Sequence, residues 1–399
     1  MTLAETLPAM PFDRPDVLEI APMYRALQGS RPVTQVRTPA GDVAWLATGY
    51  DVVKELLVDE RLGRAHRDPE NAPRFSNSAL FLGGSIGNYD TEKEDHARMR
   101  RLLTPAFMVK RMNQLRPAIQ GIVDGALDRV VAMTPPVDLH DHLSFVVPVM
   151  AICQLLGVPV DDRDQFGAWT QQSMNMWDRE AAAAAHGALY GYMHGLIERK
   201  RAAPAEDVIS DLVAAQQGED RFDESTMVQL CVALLMAGHE TTVARIDLGT
   251  LLLLTHPDQL DALRADPSLA TGAVEEILRL AAPTLGVLAR YATEDVEVAG
   301  ATIRSGDLVL ISADAANRDA SAFTDPDRFD IRRPQNQHVT FGHGPRFCLG
   351  AGLARVELQS VFGTLFQRLP ALRLAAPLEE LRLREDSPLG GLPALPVTW

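Results

Sequence analysis

A chain of 399 residues, 46% hydrophobic and 23% charged, has ordinary globular composition and enough length for a core that needs no covalent staples. Its formal net charge of -15 argues against a nucleic-acid partner. Three cysteines, Cys153, Cys231 and Cys348, are too few and too widely spaced for a disulfide framework, and they suit a reducing cytoplasm.

The N-terminal stretch MTLAETLPAMPFDRPDVLEI has no basic segment and no long apolar run, so neither a secretory signal nor a membrane anchor is expected. Residues 32–50 predict two strands about the turn Pro39-Ala40-Gly41-Asp42. A helical period dominates residues 90–280, including the helix-forming run Ala181–Ala185. The apolar stretch Met227–Gly238 contains Gln229 and runs into His239 and Glu240; at roughly 10–14 residues it reads as a buried core helix, not a membrane span. EDVEVAG and DLVLISA then predict strands, with Ser305-Gly306-Asp307 as a turn. A long irregular stretch ending at His338 precedes FGHGPRFCLGAGLAR (341–355), which leads into a last helix and short C-terminal strands. No fixed-period repeat and no long linker interrupts the chain. The expected architecture is one domain over 1–399, mainly α with a smaller β region. Strands should gather near 30–60, 285–315 and 375–399, and helices near 90–280 and 348–370.

Cys153 and Cys231 read as small buried hydrophobes. Cys348 has a different setting. Gly342 and Gly344 free the backbone for a tight turn, Pro345 stiffens it, and Gly350 and Gly352 keep the chain bare beyond the sulfur. The start of the following helix favours a thiolate. Such a thiolate can be a nucleophile, a zinc ligand or a haem ligand. Zinc needs about three more Cys or His at close spacing, and only His338 and His343 lie near. No motif supplies the base and oxyanion hole of a nucleophile. A single axial thiolate flanked by glycines fits a flat macrocycle lying against the loop.

Phe341, Gly344, Cys348 and Gly350 match the Phe-x-x-Gly-x-x-x-Cys-x-Gly haem loop, and the chain here resembles the cytochrome P-450 family. Three upstream stretches, in the family's order, extend the resemblance over essentially the whole chain: EDHARMRR (94–101), AGHETT (237–242) and VEEILRL (274–280). Each has a plainer reading alone. The first is a solvated basic face, the second a buried helix whose threonines bond back to the preceding turn, the third an exposed i,i+3 ion pair.

The resemblance implies the P-450 fold, α-rich with a small sheet region, and haem b held without covalent attachment. Cys348 would ligate the iron in a loop with Phe341, Gly342 and Gly350. His96, Arg100, Arg290, Arg346 and His338 would face the haem propionates. Ala237 and Gly238 would flank the oxygen site, Gly238 loosening the helix ladder there. Glu240 and Thr241 would deliver protons, the acid from a polar channel. Glu276 and Arg279 would lock the irregular stretch, with Arg328 as third member. The implied reaction inserts one atom of O2 into an apolar, medium-sized natural product. A ferredoxin and ferredoxin reductase drawing on NAD(P)H would supply electrons, because the chain carries no dinucleotide fingerprint. Arg98, Arg101, Lys110, Arg111 and Arg116 form a candidate docking segment. Phe81, Leu82, Met174, Trp177, Val232, Met236, Leu285, Val287 and Leu392 are candidate pocket residues. The resemblance further implies a soluble, cytoplasmic monomer. Rival readings are oxidative coupling or cyclisation without oxygen retention, peroxide-driven chemistry, and a haem sensor or carrier that turns nothing over.

Overall fold

The computed structural model describes residues 7–76, 85–173, 178–216, 222–283, 286–384 and 390–399. In chain order come α1 (Pro22–Ser30), β1 (Val33–Arg37), β2 (Val43–Ala47), α2 (Tyr50–Val58), β3 (Leu62–Gly63), α3 (Glu92–Leu103), α4 (Val109–Val131) and β4 (Val137–Asp138). Six helices follow: α5 (Val146–Leu156), α6 (Arg163–Ser173), α7 (Arg179–Ala202), α8 (Val208–Gln216), α9 (Glu224–Thr255) and α10 (Pro257–Ala265). Then come α11 (Ala270–Leu280), β5 (Val287–Ala292), β6 (Val296–Val298), β7 (Ala301–Ile303), β8 (Leu308–Ser312), α12 (Ala313–Ala316), α13 (Ala351–Arg368), β9 (Arg373–Leu374) and β10 (Pro396–Thr398). Residues 1–97 with 275–348 form one compact unit, and 98–274 with 349–399 another.

The first unit is built on a five-stranded sheet in the order β1-β2-β8-β5-β3. The β1–β2 hairpin forms where the turn signal lies, with Gly41 at φ +93. Every residue of β8 is buried, as a central strand covered on both faces requires. Leu308 and Leu310 join a core with Tyr24, Val36 and Leu46. Val309 and Ile311 point the other way, among Val53, Leu56 and Val339.

The irregular stretch after α12 belongs to this unit and has little ladder of its own. It is pinned by buried charge. Arg279 meets Glu276 through two bonds of 2.7 and 2.8 Å, and neither side chain is exposed at all. The same Arg279 donates to the carbonyls of Asn317, Pro326 and Arg328 and lies 5.0 Å from the Phe323 ring centroid. Glu276 also accepts from the Asp330 N–H, Asn336 Nδ2 and Arg333 Nε. The buried Glu276–Arg279 pair locks the irregular stretch, as the resemblance implies, and the one expectation that changes is its third member, which is Arg333. The Arg328 side chain is exposed and only its carbonyl points inward, accepting from both Arg279 and Arg333.

The second unit centres on α9. Asp223 caps it by accepting the Thr226 N–H at 2.7 Å, and the helix runs unbroken to Thr255. Among the described residues it is the one helix long and apolar enough to cross a membrane, and 61% of that window is buried inside the protein. Helices α5, α7 and α13 pack on it. Ala233, Ala237 and Thr241, at i, i+4 and i+8, are the exposed stripe of its middle turns. Helix α13 packs closely on α4, where a Cβ at Gly352 would meet Met112 Cγ at 3.1 Å. Strands β4, β10 and β9 form a small sheet in that order.

Glu276→Gln leaves the Arg279 and Arg333 guanidinium groups without their shared counterion, at a cost of about 3–5 kcal/mol. Urea unfolding should show that loss, while Arg328→Ala should stay within about 0.5 kcal/mol of the parent because only its backbone serves the cluster. Equal midpoints for Glu276→Gln and the parent would remove the cluster from its organising role.

Candidate functional site

The cysteine loop lies in the first unit. Gly342 and Gly344 take φ of +76 and +70, and a Cβ at Gly344 would meet Val58 Cγ1 at 2.5 Å, so the turn needs glycine. The Cys348 N–H donates to the Phe341 carbonyl at 2.7 Å, and the Phe347 N–H to Gly344 at 3.0 Å. These bonds hold Cys348 at an exposed position, with Phe347 beside it 39% exposed. Cys153 and Cys231 are buried, and burial pushes each thiol up to about 12. Of the three cysteines, Cys348 is the exposed one.

Around this loop the first unit gathers cations. Arg346, two residues before the cysteine, pairs with Glu92. Arg290 projects from β5, half-buried. Burial, then the charges of Arg64 and Arg346, lower its pKa to about 10, and Glu92 opposes the fall. Arg64 is lowered by burial and Arg346, again opposed by Glu92, yet keeps solvent access. His338 is buried against the Phe341 ring, with Nε2 3.0 Å from Glu275 and Nδ1 accepting the Thr340 N–H at 3.3 Å. His96 and Arg100 sit half-buried one turn apart on α3.

In the second unit, Thr241 is exposed on the α9 stripe and its hydroxyl donates to the Ala237 carbonyl at 3.0 Å. Thr242 is buried. Glu240 is 4% exposed, with Oε1 3.6 Å from Arg384 Nη1. Gly238 does not break the helix. It gives close approach to α5, since a Cβ there would meet Ile152 Cδ1 at 3.3 Å. His239 is buried edge-on to Phe145, and burial, then the charges of His140 and Arg384, push its pKa down to about 3. It is therefore a neutral imidazole at physiological pH. Val232 and Met236 are buried on α9, Leu392 is buried, and Val287 belongs to the sheet core. Phe81, Leu82, Met174, Trp177 and Leu285 lie outside the described residues.

These residues fit a flat, dianionic iron macrocycle. Among the described residues no three His, Cys, Asp or Glu side chains gather to hold a metal, so a single thiolate suits a metal that brings its own equatorial ligands. Arg64, Arg290 and Arg346 against Glu92 leave an excess of positive charge that suits a ligand bearing carboxylates. At Gly350 a Cβ would meet nothing within 4 Å, so protein packing does not explain the glycine.

The cytochrome P-450 family profile matches residues 168–373. Pentalenolactone synthase of Streptomyces exfoliatus is 43% identical over 398 residues, spanning 98% of this chain and 99% of its own. The chain belongs to the cytochrome P-450 family. Two solved P-450 structures superpose over 98–99% of it. One is PimD, a polyene macrolide antibiotic pimaricin epoxidase, at TM-score 0.89 and 41% identity, covering 99% of that chain. The other is SgvP, a candidate thioether synthase of the griseoviridin tailoring step, at TM-score 0.90 and 36% identity, covering all of that chain. This P-450 is accordingly an oxidoreductase with haem b as cofactor, and NAD(P)H reaches it through redox partners.

Sequence motifs marked Cys348, Arg290, Arg346, Glu240 and Thr241. They missed Arg64, Glu92 and Arg384, which no local spacing connects to the motifs. Gly350→Ala should leave the haem-free protein's urea midpoint within about 0.5 kcal/mol of the parent. Haem occupancy after reconstitution should fall. A stability loss without an occupancy loss would make Gly350 a packing residue.

Proposed function

We propose that this P-450 is a monooxygenase of natural-product tailoring. It hydroxylates or epoxidises an apolar, medium-sized substrate in the cytoplasm, as a monomer, with electrons from a ferredoxin and its reductase. The observation that carries this reading is full-length likeness, at 41–43% identity, to a synthase of pentalenolactone and an epoxidase of a macrolide antibiotic.

Bound haem with a thiolate ligand supplies the oxygen-activating chemistry, since the thiolate pushes electron density that favours O–O cleavage. The protein's part is ligation, charge balance and proton control. Cys348 gives the thiolate, and the two bonds of its loop fix the sulfur. Arg290 and Arg346 hold the carboxylates of the cofactor, with His96 and Arg100 as further donors. Thr241 carries a hydroxyl that both donates and accepts, on the one stripe of α9 that protein does not cover. Glu240, one residue earlier, points about 100° away around the helix and is paired with Arg384. It takes protons up and passes them to the Thr241 hydroxyl. For the ferredoxin, Met108 and Val109 are exposed at 57% and 77% beside exposed Lys110, while Arg111 next to them is paired with Asp211. Likeness to SgvP favours oxidative bond formation without oxygen retention as the second reading.

A ligand found by its shift of the Soret band, turned over with a surrogate ferredoxin under isotopically labelled O2, tests both. Labelled product is expected. Thr241→Ala should keep consuming NAD(P)H while peroxide rises several-fold at the expense of product, and Thr242→Ala should stay coupled. Product without label supports bond formation. Peroxide leakage from Thr242→Ala alone moves the proton donor by one position.

A further inference from the structure

Glu92 makes more connections than a first-turn helix acid needs. Both its carboxylate oxygens accept the Arg64 N–H at 2.8 Å, and Oε2 also accepts the Ala65 N–H at 2.8 Å. The same carboxylate pairs with Arg346 of the cysteine loop. A Cβ at Gly63 would lie 2.8 Å from Oε2, so a bare backbone there lets the carboxylate seat itself. One side chain thus ties the chain after β3, the start of α3 and the turn before Cys348. The start of α3 itself favours the negative charge.

The cations served by this hub exceed it. Arg64 and Arg346 meet at the Glu92 carboxylate, the first through its N–H and the second through its guanidinium, and burial, then the charges of both arginines, lowers the pKa of Arg290 while Glu92 opposes the fall. Three guanidinium groups and one carboxylate carry a net charge of +2. Crowding like charges costs free energy in a partly dry site, and a bound dianion reverses that cost. Arg64 keeps solvent access, so its fork can reach a ligand that Glu92 leaves unmet.

We propose that Arg64 is a third guanidinium of the haem-carboxylate site, and that Glu92 sets that site's net charge while positioning Arg346. This rests on the reading that Arg290 and Arg346 hold the haem carboxylates. Neither the cysteine loop nor the other motifs mark Arg64 or Glu92. Glu92 is a positioning residue, because its contacts are to the backbone at 64–65 and to Arg346.

The test uses reconstituted holoprotein and two readouts independent of turnover: the rate of haem transfer to an excess of apoglobin, and the haem reduction potential. Arg64→Gln and Arg290→Gln should each speed haem transfer roughly ten-fold, as the loss of a charge-assisted bond predicts. Both should shift the potential negative, because a cation that stabilises the added electron is gone. Arg64→Lys should restore much of the potential and little of the transfer rate, since it keeps the charge without the fork. Glu92→Gln should shift the potential positive. If Arg290→Gln changes both readouts and Arg64→Gln neither, Arg64 is outside the site and the proposal fails. If Arg290→Gln is also silent, the carboxylate placement itself is wrong. A negative shift for Glu92→Gln would reduce Glu92 to a structural tie and overturn its charge-setting role.

Discussion

The buried carboxylate of Glu276 is the constraint on which the cysteine loop depends. A stretch of chain without helix or strand must find partners for its backbone groups elsewhere. Between α12 and the cysteine those partners are side chains. Glu276 takes Asp330, Arg333 and Asn336, and Arg279 takes three carbonyls. Asn317 continues the scaffold, accepting the Val339 N–H at 2.7 Å and donating to the Thr340 hydroxyl at 2.8 Å. Thr340 in turn donates to the Leu278 carbonyl at 2.7 Å. The turn that presents Cys348 thus hangs from α11 by an unbroken line of hydrogen bonds. Because Glu276 and Arg279 are fully desolvated, a lost partner leaves an uncompensated charge, and the line is rigid for that reason.

Burial also assigns chemistry among like residues. Two thiols are held protonated by their surroundings while the third is left accessible beside a helix start. Two acids on α9 differ in the same way. Asp247 is paired with His140 at 2.7 Å in the core, whereas Glu240 is paired with Arg384 at a looser 3.6 Å. His239, held neutral next to it, adds no competing positive charge. An acidic protein thereby keeps a locally cationic site around its cysteine and an acid on its central helix.

Much of this was legible in the sequence because it is carried by local pattern. The apolar run of β8 announces a strand, Gly41 announces the hairpin, and the apolar run Met227–Gly238 announces the buried middle of α9. The four motifs carry the site because each lies within one turn or loop. What spacing cannot show is which side chain turns inward where no period exists. Arg318, Arg328, Arg332 and Arg333 are equivalent candidates in an irregular stretch. The turn at Asp325, φ +45, sends the Arg328 carbonyl rather than its side chain into the cluster. Arg64, Glu92 and Arg384 meet their partners across tens to hundreds of residues, a relation that only the fold creates. Gly238 is a related case: a glycine in a helix suggests a weakened ladder, and only the fold shows the close approach to Ile152 that it also allows.

The central claim is that the thiolate of Cys348 holds the haem iron. The reduced carbon monoxide spectrum of the reconstituted protein tests it most directly, compared with that of Cys348→His. The parent should show the red-shifted Soret band of a thiolate ligand, and the variant should bind haem but lose that band. A parent without the band, or a variant that keeps it, would contradict the account.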